Sequence, residues 1–92
     1  MSEPQFLVYS KPNCVQCKWT KMKLDKLKLE YKEFDISVDP DALAAAKALD
    51  PAYVSAPIVV YVGKDATATD HWAGYQDDRI SAIDQRIKSQ ES

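Results

Sequence analysis

The sequence predicts an α/β fold with the element order β-α-β-α-β-β-α, in which three helices pack on a four-stranded mixed sheet. Short apolar or alternating runs, typical of strands, are separated by stretches with helix-capping residues and helical periodicity. The first two strands are joined through a helix, which predicts a parallel pair with a right-handed crossover. The last two are joined by a short turn, which predicts an antiparallel pair.

A short cysteine motif lies at the junction of the first strand and the first helix. Gln5–Tyr9 is an apolar run that ends at Ser10, as a buried strand does. Asn13 is a residue type that caps helices, and Gln16 stands three positions later, as in a capping box. A helix is therefore expected over residues 14–29.

Two arcs of this helix have different expected environments, because successive helical residues are rotated by about 100°. The first arc can face the sheet, and the second lies away from it. Trp19 on the second arc has two interpretations, as a core residue or as part of an apolar patch on which a partner's tail docks. The first arc consists of Cys17, Thr20, Leu24 and Leu27, and the second of Val15, Trp19 and Met22.

The second strand and helix follow from local patterns. Tyr31–Ile36 alternates apolar and polar residues, as a strand does. Asp39 is an N-cap residue and Pro40 suits the first helical position, so a helix is expected through the alanine-rich stretch to Leu49. Asp50 precedes a proline, which ends the helix.

The last three elements complete the sheet and its cover. Pro57–Val62 is a β-branched run, and a turn over Gly63–Asp65 leads to a weaker strand over Thr67–Trp72. Gly74 interrupts the chain before the last helix. That helix carries Ile80, Ile83 and Ile87 on one side.

Composition points to one soluble domain over residues 1–92. The net charge of −2 argues against a general nucleic-acid binder, and the apolar runs are too short for a membrane span or a signal peptide. A cytoplasmic location is expected, where thiols are kept reduced. Residues 1–32 hold seven lysines against three acidic residues. This excess is either a solvated helix face or an electropositive setting for a thiolate and an acidic partner.

Cys14 and Cys17, the only cysteines, allow three interpretations. As a structural staple, so short a loop contributes only about 2 kcal/mol. As half of a metal site, the pair lacks a second pair of ligands, since His71 is the only histidine. As a redox dithiol, the pair benefits from the positive end of a helix and from the neighbouring Lys11 and Lys18. Cys14 lies at the exposed tip and Cys17 on the buried arc, which predicts an attacking and a resolving thiol.

Three segments together resemble a known family: "YSKPNCVQCKWT", "SAPIVV" and "DHWAGYQDDRI". The chain resembles the NrdH-redoxins, glutaredoxin-like proteins of thioredoxin fold, over residues 6–87. The resemblance implies a monomer without bound cofactor or metal that carries electrons to class Ib ribonucleotide reductase. It also implies reduction by thioredoxin reductase rather than by glutathione.

Carried over by position, the resemblance makes Cys14 the nucleophile and Cys17 the resolving thiol. Pro57 matches a cis-proline that faces the dithiol, although the sequence alone is typical of an ordinary proline at a strand entry. Ala56 matches the residue whose backbone pairs with the substrate. The residues expected to contact a substrate or partner are Lys11, Val15, Gln16, Trp19, Ala56, Pro57, Trp72, Gly74 and Tyr75.

The chain departs from the family pattern after Tyr75. An Arg and a Pro of the pattern are replaced here by Gln76 and Asp77, and Asp77 with Asp78 resembles an acidic pair near the glutathione site of glutaredoxins. A glutathione-dependent glutaredoxin is therefore the first alternative, and a metal-binding module is the second.

Overall fold

The structure, a computed structural model, describes residues 5–53, 55–63 and 68–90. Its elements follow the predicted order, and the strands form one sheet with the order β2-β1-β3-β4. The elements are β1 (Gln5–Ser10), α1 (Val15–Lys26), β2 (Tyr31–Asp35), α2 (Pro40–Leu49), β3 (Ile58–Val62), β4 (Ala68–Ala73) and α3 (Asp77–Gln90).

The two predicted strand directions are confirmed: β1 pairs with β2 in parallel, and β3 pairs with β4 antiparallel. β1 also pairs antiparallel with β3. The register of the last pair is irregular at Tyr61 and Val62. The predicted turn after Gly63 falls largely on residues 64–67, outside the described part of the chain.

The two faces of the sheet carry separate apolar clusters. Phe6 and Val8 of β1 point to one face, where α1 and α3 pack, and Tyr9 points to the other, where α2 packs. This alternation follows from the two-residue period of a strand. The first cluster holds Phe6, Val8, Leu24, Val59, Tyr61, Trp72, Ile80 and Ile83, and the second holds Tyr9, Ala42, Ala46, Ile58 and Val60.

The prediction for the bounds of α1 is wrong at both ends. Asn13 adopts a left-handed conformation (φ 58°), and Cys14 occupies the N-cap position instead. Asparagine tolerates this conformation better than most residues, so it makes a turn here rather than a cap. The helix ends at Lys26, because the chain turns at Lys28 (φ 59°) and the Leu29 amide bonds back to the helix.

The prediction for α2 is confirmed. The Asp39 side chain accepts hydrogen bonds from the amides of Asp41 and Ala42 at 3.1 and 3.2 Å, and Pro40 is the first helical residue. These contacts satisfy amides that the first turn of a helix leaves without partners.

Across the described ranges, the helices are too short or too polar to cross a membrane.

Candidate active site

Cys14 and Cys17 form a disulfide at the start of α1, with their Cα atoms 5.2 Å apart. The chain reaches this point from the end of β1, so the sheet and the helix together hold the pair at one edge of the fold. Cys17 lies in the first turn of α1 and is 2 % exposed, whereas Cys14 is only partly buried. Cys14 is therefore the sulfur that a second disulfide reaches more easily.

The N-cap position gives Cys14 a polarised environment. Its Sγ accepts a hydrogen bond from the Cys17 amide at 3.1 Å, and the first turn of α1 contains no acidic residue. Unsatisfied amides at a helix start carry a partial positive charge. In the reduced protein this arrangement favours the thiolate form of Cys14 over the neutral thiol. The thiolate is the form that attacks disulfides.

A groove of about 660 Å³ runs beside the dithiol and contains charges of both signs. Lys21 Nζ lies 2.8 Å from a Glu33 carboxylate oxygen, and the Ser10 hydroxyl donates to the same oxygen at 2.7 Å. The hydrogen bond from Lys21, with a smaller contribution from Ser10, lowers the pKa of Glu33. The charged groups that line the groove are Lys11, Lys18, Lys21, Glu33 and Asp35.

Sequence reasoning missed the two carboxylates of this groove. Glu33 and Asp35 lie on β2, opposite Val8 and Ser10 of the parallel strand β1. Parallel strands end at the same edge of a sheet, and residues two apart share a face. The β1–β2 pairing and this spacing were the signals that could have placed both carboxylates beside the dithiol.

The Ala56–Pro57 peptide bond is cis, as the family resemblance implies. Pro57 is buried, while Ala56 is partly exposed. The Pro57 carbonyl accepts a hydrogen bond from the Gly74 amide at 2.8 Å, so the proline segment and the turn after β4 are held together. Gly74 has φ 83°, a left-handed conformation that glycine adopts without a Cβ clash.

Gln16, in the middle of the CVQC motif, contacts this turn directly. Its Oε1 accepts a hydrogen bond from the Tyr75 amide at 3.0 Å. The predicted capping box is therefore wrong, because the Gln16 side chain bonds to a distant segment rather than to its own helix terminus. The hydrogen bond connects the dithiol motif to the segment that follows β4.

The predicted partner-contacting residues fall into three groups. Trp72 is 3 % exposed and packs in the core, so the expectation that its ring offers contact area is corrected. Its burial follows from the β4 register, which places Trp72 opposite Val59 on the face covered by α1 and α3. Exposed residues are Lys11, Val15, Gln16 and Trp19, partly buried ones are Ala56, Gly74 and Tyr75, and buried ones are Pro57 and Trp72.

A family model matches the part of the chain that contains the CxxC pair. The model of the family described as Glutaredoxin matches residues 6–65. The chain belongs to the glutaredoxin family. A search of curated proteins finds none that matches it.

Solved structures of glutaredoxin-like and thioredoxin proteins share the fold. The glutaredoxin-like NrdH-redoxin from Escherichia coli is 22 % identical with a TM-score of 0.71, over 86 % of this chain and 93 % of that chain. Fasciola hepatica thioredoxin is 16 % identical with a TM-score of 0.72, over 92 % and 81 %. Another thioredoxin-like protein is 28 % identical with a TM-score of 0.70, over 85 % and 97 %. These likenesses confirm the predicted thioredoxin-like fold.

As a glutaredoxin-family protein with a redox-active cysteine pair, the chain is a disulfide oxidoreductase. The division of roles between Cys14 and Cys17 stays a prediction. Within the described ranges, no group of three His, Cys, Asp or Glu side chains is arranged to hold a metal ion. His71 Nδ1 lies 2.8 Å from the Tyr53 hydroxyl, so this histidine has a structural partner.

An arginine lies near the altered end of the family pattern after all. The Arg79 guanidinium lies 5.7 Å from the centre of the Trp72 ring and donates from Nε to Gln76 Oε1 at 3.0 Å. The Gln76 amide group in turn donates to the Ala73 carbonyl at 3.0 Å. Sequence reasoning missed this contact, although the three-residue spacing of Gln76 and Arg79 at the start of the last helix was a signal for it.

Proposed function

We propose that this glutaredoxin-family protein is an NrdH-redoxin, a cytoplasmic electron carrier between thioredoxin reductase and class Ib ribonucleotide reductase. The sequence resemblance supports both partners. The similarity to the Escherichia coli NrdH-redoxin, whose activity profile is described as thioredoxin-like, supports the same choice of reductant.

The chemistry is a two-electron exchange. The Cys14 thiolate attacks one sulfur of the substrate disulfide, forms a mixed disulfide and releases the other substrate sulfur as a thiolate, which takes up a proton. The Cys17 thiolate then attacks Cys14, forms the Cys14–Cys17 disulfide and releases the second substrate thiolate. Two electrons and two protons from the reductase restore the dithiol.

The pair of carboxylates beside the dithiol is the observation that carries the choice of reductant. Glutathione has two carboxylates of its own, and a site for it needs fixed cations. In this groove Glu33 and Asp35 are negative, and Lys21 is held by Glu33 at 2.8 Å. The two carboxylates offset two of the three lysines that line the groove, so only one excess positive charge is left to hold the two carboxylates of glutathione, which favours a protein as electron donor.

Reduction of the oxidised protein by the two candidate donors tests the proposal. One reaction contains NADPH and thioredoxin reductase, and the other contains glutathione, NADPH and glutathione reductase. Thioredoxin reductase is expected to reduce the protein much faster than glutathione does. The reduced protein is expected to support turnover of class Ib ribonucleotide reductase. Glutathione that matched the reductase would make the protein a glutathione-dependent glutaredoxin.

Charge variants make this comparison specific to the groove. Neutralising both carboxylates, as Glu33→Gln with Asp35→Asn, is expected to speed reduction by glutathione and to leave reduction by thioredoxin reductase less affected. Asp25→Asn with Glu30→Gln is the matched control, because both are exposed carboxylates outside the groove and their neutralisation changes the net charge equally. An equal change in the control would assign the effect to net charge rather than to the groove.

A further inference from the structure

One face of α1 carries three of the four large, exposed apolar side chains of the described chain. These three side chains are Val15, Trp19 and Met22, with 55 %, 47 % and 56 % of their surface accessible. The fourth, Val38, lies apart in the turn between β2 and α2. Scattered apolar residues are ordinary on a protein surface, but a contiguous group marks an interaction site.

Trp19 and Met22 form one side of a groove of about 410 Å³, and Tyr75 contributes to it from the segment after β4. The Trp19 and Tyr75 rings meet edge to face, with centroids 6.0 Å apart. Lys23 pairs with Asp77 at 2.7 Å, which occupies the one carboxylate that lines the groove. We call Val15, Trp19, Met22 and Tyr75 the α1 platform.

The α1 platform is continuous with the dithiol. Val15 follows Cys14 directly and also lines the groove beside the disulfide. Tyr75 is held to the CVQC motif by the hydrogen bond from its amide to Gln16 Oε1. A chain whose disulfide reaches Cys14 can therefore extend over the platform without leaving the surface.

Positive charge frames the platform. Lys18 lies beside Val15 in the dithiol groove, and Lys26 lines the groove next to Met22. Within the described residues neither lysine has an ion pair with a carboxylate. A second copy of this chain would place like charges together, which disfavours self-association through this face.

The geometry points to one occupant: an acidic segment of the disulfide-bearing protein substrate that carries a large apolar side chain close to its cysteines. The apolar side chain fills the groove between Trp19 and Tyr75, and the acidic residues face Lys18 and Lys26. This inference rests on the proposed function, because it requires a protein disulfide as substrate. Docking of this kind adds contact area beyond the reacting sulfurs, and aromatic anchors in such grooves carry most of the binding energy.

Synthetic peptides with a common disulfide loop test the inference. One peptide extends the loop by an acidic segment that contains a single Phe, a second replaces that Phe by Ser, and a third replaces the acidic residues by Lys. Each is made with the extension at either end of the loop. Wild-type protein is expected to reduce the acidic Phe peptide, in its better orientation, with a kcat/KM about tenfold higher than the other two.

Variants locate the effect on the α1 platform. Trp19→Ser and Lys26→Glu are expected to lose most of the tenfold preference, while their rates with a small aliphatic disulfide, which does not reach the platform, stay near that of the wild type. Val38→Ser is the control for loss of an exposed apolar side chain. Lys47→Glu is the control for charge, since Lys47 lies in the last turn of α2 as Lys26 does in α1. A variant that kept its preference would overturn the inference.

The other outcomes separate this inference from the proposed function. Equal reduction of all peptides by the wild type would refute docking on the platform and leave the electron-carrier function standing. Reduction of the small disulfide alone would refute the proposed function and the docking together. A wild-type dimer in sedimentation equilibrium that Trp19→Ser dissociates would show that a second copy covers the platform, which would also refute the inference.

Discussion

Substitution of Gly74 by Ala measures how strongly the turn after β4 depends on its left-handed backbone. The residue has φ 83°, and its amide donates to the Pro57 carbonyl at 2.8 Å. A Cβ added there would lie 3.4 Å from Gln16 Oε1, an ordinary contact, so the cost comes from the backbone and not from a clash. We expect the variant to fold and to be less stable.

The magnitude follows from two opposing effects at Gly74. A left-handed conformation costs a non-glycine residue about 1–2 kcal/mol. Loss of glycine restricts the unfolded chain, which returns about 0.4–1 kcal/mol. The net loss in the free energy of unfolding is therefore about 1 kcal/mol, which lowers the melting temperature of a domain of this size by about 4–8 °C.

Urea and thermal unfolding of the oxidised protein, followed by circular dichroism, provide the assay. Gly74→Asn is the matched variant, because asparagine adds a side chain but tolerates the left-handed region better than alanine. The expected order of stability is the parent protein, then the Asn variant, then the Ala variant. An Ala variant as stable as the parent, or more stable than the Asn variant, would refute the reasoning from the backbone conformation.

Three further predictions concern the dithiol and the charges around it. Cys17→Ser is expected to trap a mixed disulfide with the substrate on a non-reducing gel and Cys14→Ser is not; a trap by Cys14→Ser alone would reverse the assigned roles. Electron transfer is expected to slow as salt rises, because charges are screened over about 8 Å at physiological ionic strength; a rate that does not change with salt would assign the lysines of residues 1–32 to solubility. In the folded protein the hydrogen bond from Lys21 lowers the pKa of Glu33 below its ordinary value of 4.5. The ionised carboxylate therefore stabilises the fold above pH 4.5, and this stabilisation is lost as the pH falls through the lowered pKa. Glu33→Gln is therefore expected to reduce stability at pH 7 and to match the parent in acid, and a difference independent of pH in urea unfolding would contradict this.

Local signals predicted the parts of this fold that local contacts determine. Asp39 and Pro40 start α2 as expected, because every group in that cap lies within a few residues. Asn13 and Gln16 formed an equally good capping pattern. However, the Gln16 side chain accepts a hydrogen bond from the Tyr75 amide, 59 positions away, and does not cap its own helix. A competing partner at that separation leaves no trace in the local sequence.

The candidate site shows the same division. The positions of Cys14 and Cys17 followed from the helix start, and the exposed arc of α1 followed from its periodicity. The burial of Trp72 and the carboxylates of Glu33 and Asp35 beside the dithiol depend instead on which strand lies next to which. Only the order and register of the sheet decide those neighbours.

The hydrogen bonds at Gly74 and Tyr75 bear on how the protein folds and frays. They join the turn after β4 to Pro57 and to Gln16, which are distant in the chain, so they form only after long loops have closed. The turn also follows β4, which is an edge strand of the sheet, whereas the dithiol follows β1, which lies between two other strands. Turns and loops open at a lower free energy than core strands. Hydrogen exchange should therefore be faster at the Tyr75 amide than in β1, and a brief opening of the turn after β4 would separate Gly74 and Tyr75 from a disulfide that stays in place.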